Sequence, residues 1–326
     1  MVIRVSKDGS VSHVLAREGG VNRTMVLGRM TEKRKGTGMN DTGDIMLTGQ
    51  VAVITGGGGG IGRACALRFA DFGADVVIAD IVPERCEEVA ERVRERGRKA
   101  LPVVTDMMDT GQIRAMVASA DKEFGRVDIL VNNVAGVAYK KFLDSSERSW
   151  RRHIDINLMS LFCATAEVAP IMIREGRGGS IINVASIEGV RAAPSVAIMA
   201  ACKAAMISFT KSMALELSGD NIRVNCFNPD HTVTPGGRGN RTGPVDESTW
   251  RVPTPDEEDK MNRVIPLLRE GDARECGDLA VFLASKMASY TTGAIIPIDG
   301  GTSAASGWHR ATTGVWTQLE GQKPGR

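Results

Sequence analysis

The chain has 326 residues, 42% hydrophobic and 25% charged, with 41 basic and 39 acidic side chains for a net charge of +2. That balance excludes a disordered or fibrous chain, and a near-neutral total supplies no field built to capture nucleic acid. No uninterrupted apolar run approaches the length of a membrane span, so no membrane crossing is expected.

Residues 1–46 read as a flexible basic extension. Within the first 45, eight Lys and Arg stand against five Asp and Glu, a net +3 that leaves −1 for the remainder. Apolar periodicity does not persist there, and the apolar core of a secretory signal is missing. An upstream extension, with translation starting at Met39 or Met46, is an alternative reading. An organellar transit peptide is another, against which Asp8, Glu18 and Glu32 argue.

From Gln50 short apolar runs alternate with helical patterns. Strands are expected over 51–55, 75–79, 100–105, 127–132, 180–185, 222–227 and 294–298. Runs such as Val76-Val77-Ile78-Ala79 are apolar without alternation, as in parallel strands covered on both faces. Between them lie amphipathic stretches. In 84–96, Cys86, Val89, Ala90 and Val93 share one helical face before Gly97 stops the helix. The alternation predicts right-handed crossovers and an α/β, Rossmann-like, doubly wound parallel sheet in one domain. Residues 236–259, rich in Gly, Pro and charge, break the rhythm and read as a lid, taken as about 236–262. The tail 303–326 carries Trp308 and Trp316 and is expected to pack on a neighbouring subunit.

Six cysteines (Cys65, Cys86, Cys163, Cys202, Cys226, Cys276) lie far apart with no CxxC pair, and read as reduced thiols packed in a cytoplasmic protein. Four scattered histidines give no ligand spacing, so no catalytic metal is expected.

The strongest signal is Thr55-Gly56-Gly57-Gly58-Gly59-Gly60-Ile61-Gly62, between a strand and a helix. Glycines there let backbone N–H groups approach a pyrophosphate at a helix N-terminus. Asp80, 18 residues beyond Gly62, ends the next strand. A carboxylate there accepts ribose hydroxyls and repels a 2′-phosphate, and Ile81 and Val82 supply no phosphate clamp, which favours NAD over NADP.

These motifs resemble the short-chain dehydrogenase/reductase family over roughly 47–302. Thr55–Gly62 fits its TGxxxGxG fingerprint, and Asp106 falls where the family contacts adenine. Asn132-Asn133-Val134-Ala135-Gly136 is similar to its NNAG motif with one extra residue. Asn157 matches the Asn of the proton relay, Ser186 the catalytic Ser, Lys203 the Lys of YxxxK, and Asp299-Gly300-Gly301 the end of the core. The resemblance implies hydride transfer between a nicotinamide and a small-molecule alcohol or carbonyl. It places Pro229 and Thr232 with Asn132 and Lys203 at the cofactor, and it implies a homodimer or homotetramer.

The pattern breaks at one position: Met199 stands where the family has its proton-passing Tyr. Met199 and Lys203 share a helix face, but a thioether carries no proton. Val196 does not rescue the pattern, and Tyr290, before the last strand, reads as structural. Tyr139, Glu188 and Asp230 are the candidate substitutes, with Lys203 a fourth whose simpler role, holding the ribose hydroxyls, is preferred. His231 is expected to face the lid, whose Arg238, Arg241, Trp250 and Arg251 suit an anionic group or merely solvent. Three functions follow: an NAD-dependent oxidoreductase with a displaced proton donor, a redox-neutral dehydratase, isomerase or decarboxylase using Glu188 or Asp230, or a catalytically silent NAD-binding subunit.

Overall fold

The computed structural model describes residues 42–318, together with the backbone of three strands nearer the N-terminus; the tail beyond 318 lies outside the described residues. The chain divides into two compact units, Met1–Thr42 and Gly43–Arg326.

In the first unit β1 (Val2–Val5), β2 (Val11–Glu18) and β3 (Val21–Met25) form an antiparallel meander, where no regular element was expected. In the second unit the core runs β4 (Val51–Thr55), α1 (Gly60–Asp71), β5 (Asp75–Asp80), α2 (Pro83–Glu95), β6 (Ala100–Val104), α3 (Thr110–Phe124) and β7 (Ile129–Asn132). It continues through α4 (Glu147–Ile154), a π-helical turn (Asp155–Met159), α5 (Ser160–Glu175), β8 (Gly179–Val184), α6 (Ala197–Glu216) and β9 (Ile222–Pro229). The last segments are β10 (Thr232–Val233), α7 (Pro255–Val264), β11 (Gly271–Asp272), α8 (Ala273–Ala284), β12 (Ile295–Ile298), α9 (Thr302–Ala305), β13 (His309–Arg310) and β14 (Trp316–Thr317).

Seven parallel strands form one sheet in the order β12-β9-β8-β7-β4-β5-β6. The order reverses at β4, which pairs with β5 on one side and β7 on the other. Alternate residues of the central strands serve two cores. Ala52, Ile54, Val76, Ile78 and Val131 pack with Phe69 of α1 and Val281 of α8. Val51, Val53, Val77 and Leu130 pack with Met116 of α3 and Val168 of α5. Burial on both faces is the reason these strands read as unbroken apolar runs. All six cysteines are buried and unpaired among these layers.

Two helical stretches, Glu147–Glu175 and Ala197–Glu216, have the length and mean hydropathy (1.6 and 1.3) of a membrane span. No such span was expected from uninterrupted apolar runs; the signal arises because α5 is a core helix whose buried polar side chains, Ser160 and Thr165, are short. The second stretch is only 28% buried within the chain.

The lid is more ordered than its composition implied. Thr254 caps α7 reciprocally with Glu257, and Pro255 takes the first helical position. In the tail, β13 pairs antiparallel with β14, and Arg310 stacks over Trp316 at 4.6 Å.

Candidate active site

The glycine turn joins β4 to α1 where the strand order reverses, the place at which open α/β sheets bind ligands. Gly56 and Gly60 have positive φ (65° and 51°), which other residues rarely adopt. Gly62 allows no side chain: a methyl group there would overlap the Gly56 carbonyl and sit 2.6 Å from Asn133 Nδ2. We expect Gly62→Ala to lower stability by roughly 1–3 kcal/mol through overpacking and to abolish coenzyme binding. Thermal melting with and without NADH checks both effects.

Asp80 closes the turn from the side. Its Oδ2 accepts the Gly58 N–H at 3.0 Å and its Oδ1 the Val82 N–H at 3.1 Å. Thr55 is buried beneath the turn, where its Oγ1 donates to the Val131 carbonyl (3.2 Å) and accepts the Asn133 N–H (2.9 Å). Thr55 and Gly62 therefore shape the floor, while Gly56, Gly60, Ile61 and Asp80 line a cavity of about 520 Å³.

Asn132 is a correction. It lies 4% exposed inside the sheet, donating to Asn183 Oδ1 (2.9 Å) and Thr165 Oγ1 (3.2 Å). Its neighbour Asn133 lines the cavity and clamps the Thr55 and Gly56 carbonyls (2.9 and 3.1 Å). The pleat turns successive side chains to opposite faces, so a one-residue choice within the Asn pair decides which reaches the cleft. Asp106 also lies off this cavity; its Oδ1 accepts the Met108 N–H (2.9 Å) and shapes the turn before α3.

Asn157 sits in the π-helical turn, fully buried. The turn breaks the i→i+4 ladder, and Asn157 Nδ2 takes up the His153 carbonyl at 2.9 Å. The same amide brackets Gly136, donating to its carbonyl (2.9 Å) and accepting its N–H (3.2 Å). It thereby fixes the loop that follows β7.

Ser186, Met199 and Lys203 converge on the cavity together with Pro229 and Thr232. Gly189 makes this possible, because a Cβ there would come within 2.9 Å of the Lys203 carbonyl carbon and keep α6 away. Ser186 Oγ accepts the Glu188 N–H at 3.1 Å, which leaves its O–H to donate elsewhere. Lys203, 3% exposed, donates from Nζ to the Val184 carbonyl at 2.7 Å. Burial pulls its ammonium down from the usual 10.5 to about 8.

The four candidate substitutes for Tyr fare differently. Tyr139 reaches the cavity mouth but is 76% exposed, and Tyr290 is fully exposed rather than structural packing. Glu188 and Asp230 are joined by Arg191, at 2.7 Å from Glu188 Oε1 and 3.3 Å from Asp230 Oδ2. Asp230 also accepts the Thr302 hydroxyl (2.8 Å) and the His231 N–H (3.0 Å), and His231 Nε2 lies 3.5 Å from its Oδ2. The Arg191 guanidinium thus bridges the two carboxylates. Arg191, five residues past Ser186, was not anticipated. Of the lid arginines, Arg238 pairs with Glu270 and Arg251 with Glu257, whereas Arg241 lines the cavity.

The arrangement is a dinucleotide cradle leading to a serine and a lysine one helical turn from a methionine. A family model described as "Enoyl-(Acyl carrier protein) reductase" matches residues 56–303. The chain is 37% identical over 255 residues to the 3-oxoacyl-[acyl-carrier-protein] reductase FabG of Thermotoga maritima, covering 78% of this chain and 98% of the relative. It is 38% identical to the oxidoreductase UcpA of Salmonella typhimurium, covering 79% and 95%. The chain belongs to the short-chain dehydrogenase/reductase family. The structure of a 7α-hydroxysteroid dehydrogenase complexed with NADH and 7-oxo glycochenodeoxycholic acid superposes with a TM-score of 0.74 at 32% identity, covering 81% of this chain and 98% of that one. This family member is therefore an oxidoreductase of alcohol or carbonyl substrates that works with a nicotinamide cofactor, and its glycine cradle fits such a group.

Proposed function

We propose that the enzyme uses NAD, and that Lys203 carries the proton which a Tyr would pass in the family pattern. The observation that carries this reading is the convergence of Ser186, Met199 and Lys203 on one cavity, with Met199 unable to exchange a proton. When bound, a nicotinamide accepts or supplies the hydride. Ser186 Oγ donates its free O–H to the substrate oxygen and holds the reacting carbon in place. Lys203 has one N–H committed to Val184 and two without a hydrogen-bond partner among the described residues. In oxidation, neutral Lys203 takes the hydroxyl proton; in reduction, the ammonium returns it to the forming alkoxide. A buried amine with a pKa of about 8 suits both directions near neutral pH. Arg191 and Asp230 hold the Glu188 segment, and through the Glu188 N–H the Ser186 hydroxyl, in place.

The Asp80 carboxylate supports NAD, since its remaining lone pairs suit ribose hydroxyls and its charge opposes a 2′-phosphate. Titration with NADH and NADPH, followed by absorbance at 340 nm with a panel of secondary alcohols and ketones, tests the reading. Tight NADH binding without any absorbance change would favour a silent subunit. Buried, unpaired thiols support a reducing compartment, and we place the enzyme in the cytoplasm. Exposed Ile154, Met159, Ile173 and Leu215 on the α4–α6 helices support a homodimer or homotetramer that covers them. Light scattering measures that state.

A further inference from the structure

We propose that Arg85 is a latch that joins the lid to a phosphate of the bound coenzyme. The proposal rests on the coenzyme reading above and concerns a residue outside the family motifs. Arg85 lies in the first turn of α2 and is 8% exposed. Its Nε donates to the Gly243 carbonyl at 2.6 Å and its Nη2 to the Asn240 carbonyl at 3.0 Å, both in the lid. Among the described residues no carboxylate forms an ion pair with it; its two bonded nitrogens both donate to neutral carbonyls. Buried guanidinium groups ordinarily find an anion, because neutral carbonyls do not offset the desolvation of a full charge.

The third nitrogen shows where the anion belongs. A methyl group on Gly59 would sit 3.2 Å from Arg85 Nη1, so that nitrogen hangs over the N-cap of α1. Backbone N–H groups and the helix dipole already favour a phosphate there. The lid base closes on the same turn, with Thr234 Cβ 3.1 Å from the Cβ position of Gly60. One planar fork thus serves two lid carbonyls and one phosphate position, a geometry that a lysine cannot reproduce. A phosphate at the turn neutralises Arg85 and makes its lid bonds cheaper to keep, so occupancy and lid closure reinforce each other. On the NAD reading the phosphate is the pyrophosphate; the 2′-phosphate of NADP is the other source, which the test separates.

The test measures affinity and release of NADH and NADPH by fluorescence for the wild type, R85M and R85K, with tryptic cleavage of the lid at Arg238 and Arg241. We expect R85M to weaken binding at least tenfold, chiefly through faster release, and to speed lid cleavage. R85K keeps part of the affinity but loses lid protection. Equal losses for the two coenzymes place the pyrophosphate at Arg85, and a larger loss for NADPH places the 2′-phosphate there. Binding within twofold of wild type in R85M or R85K, or wild-type lid cleavage that NADH does not slow, overturns the latch. A wild type that binds neither coenzyme overturns the coenzyme reading itself, a result distinguishable from failure of the latch alone.

Discussion

Met199→Tyr is expected to raise alcohol oxidation by up to about 10²-fold, the lower end of what a positioned acid or base contributes, because Lys203 already serves as one in the wild type. Position 199 lies in the first turn of α6, one turn before Lys203, and its side chain lines the cavity beside Ser186. A phenol placed there has two ready partners, the Ser186 hydroxyl and the Lys203 ammonium. The ammonium lowers the phenol pKa from about 10 toward the working range. Steady-state rates with a secondary alcohol and NAD give the comparison. If the variant folds and binds NADH but gains nothing, proton transfer does not limit the wild type.

Lys203→Met is expected to remove at least about 10² of the wild-type rate, on the same scale, while leaving the fold intact. Wild-type oxidation should rise with pH through about 8, because the neutral amine is the base, and reduction should fall across the same range. Lys203→Arg keeps a positive charge but cannot deprotonate in this range, so it should retain coenzyme affinity and lose the inflection. Stability gives an independent readout. The folded pKa of about 8 lies below the usual 10.5, so the native state disfavours the charged form. Below pH 8 both folded and unfolded chains are protonated and the fold bears the whole burden of a buried ammonium. That burden shrinks as pH rises from 8 toward 10.5. Lys203→Met should therefore raise the melting temperature most at neutral pH and least near pH 10.

The sheet was legible in the sequence because its strands are buried on both faces, and the expected strand 51–55 coincides with β4. The helix expected over 84–96 lies at Pro83–Glu95, set by Pro83 at its first position and Gly97 beyond its end. The glycine turn, Asp80, Ser186 and Lys203, singled out in the sequence because backbone approach and strand ends leave local marks, line one cavity. What escaped depends on contacts between distant segments. Asn133 instead of Asn132 reaches the cleft because of the pleat at the end of β7. Arg85 and Arg191 gain their partners only where the lid and Asp230 come alongside. The helix α7 was hidden by the acidic run in its own first turn, although its Thr254 and Pro255 start signals were present.

Deuterium transfer is the most direct measure of the central claim, that this site passes hydride while a thioether occupies the phenol position. NADH deuterated at the nicotinamide C4 is mixed with a ketone panel, and the alcohols formed are read by mass spectrometry. The account predicts deuterium on the carbinol carbon with the wild type and its near-disappearance with Lys203→Met. Label transferred by Met199→Tyr but by neither wild type nor Lys203→Met would contradict it, because Lys203 would then carry no proton and the native site would be silent.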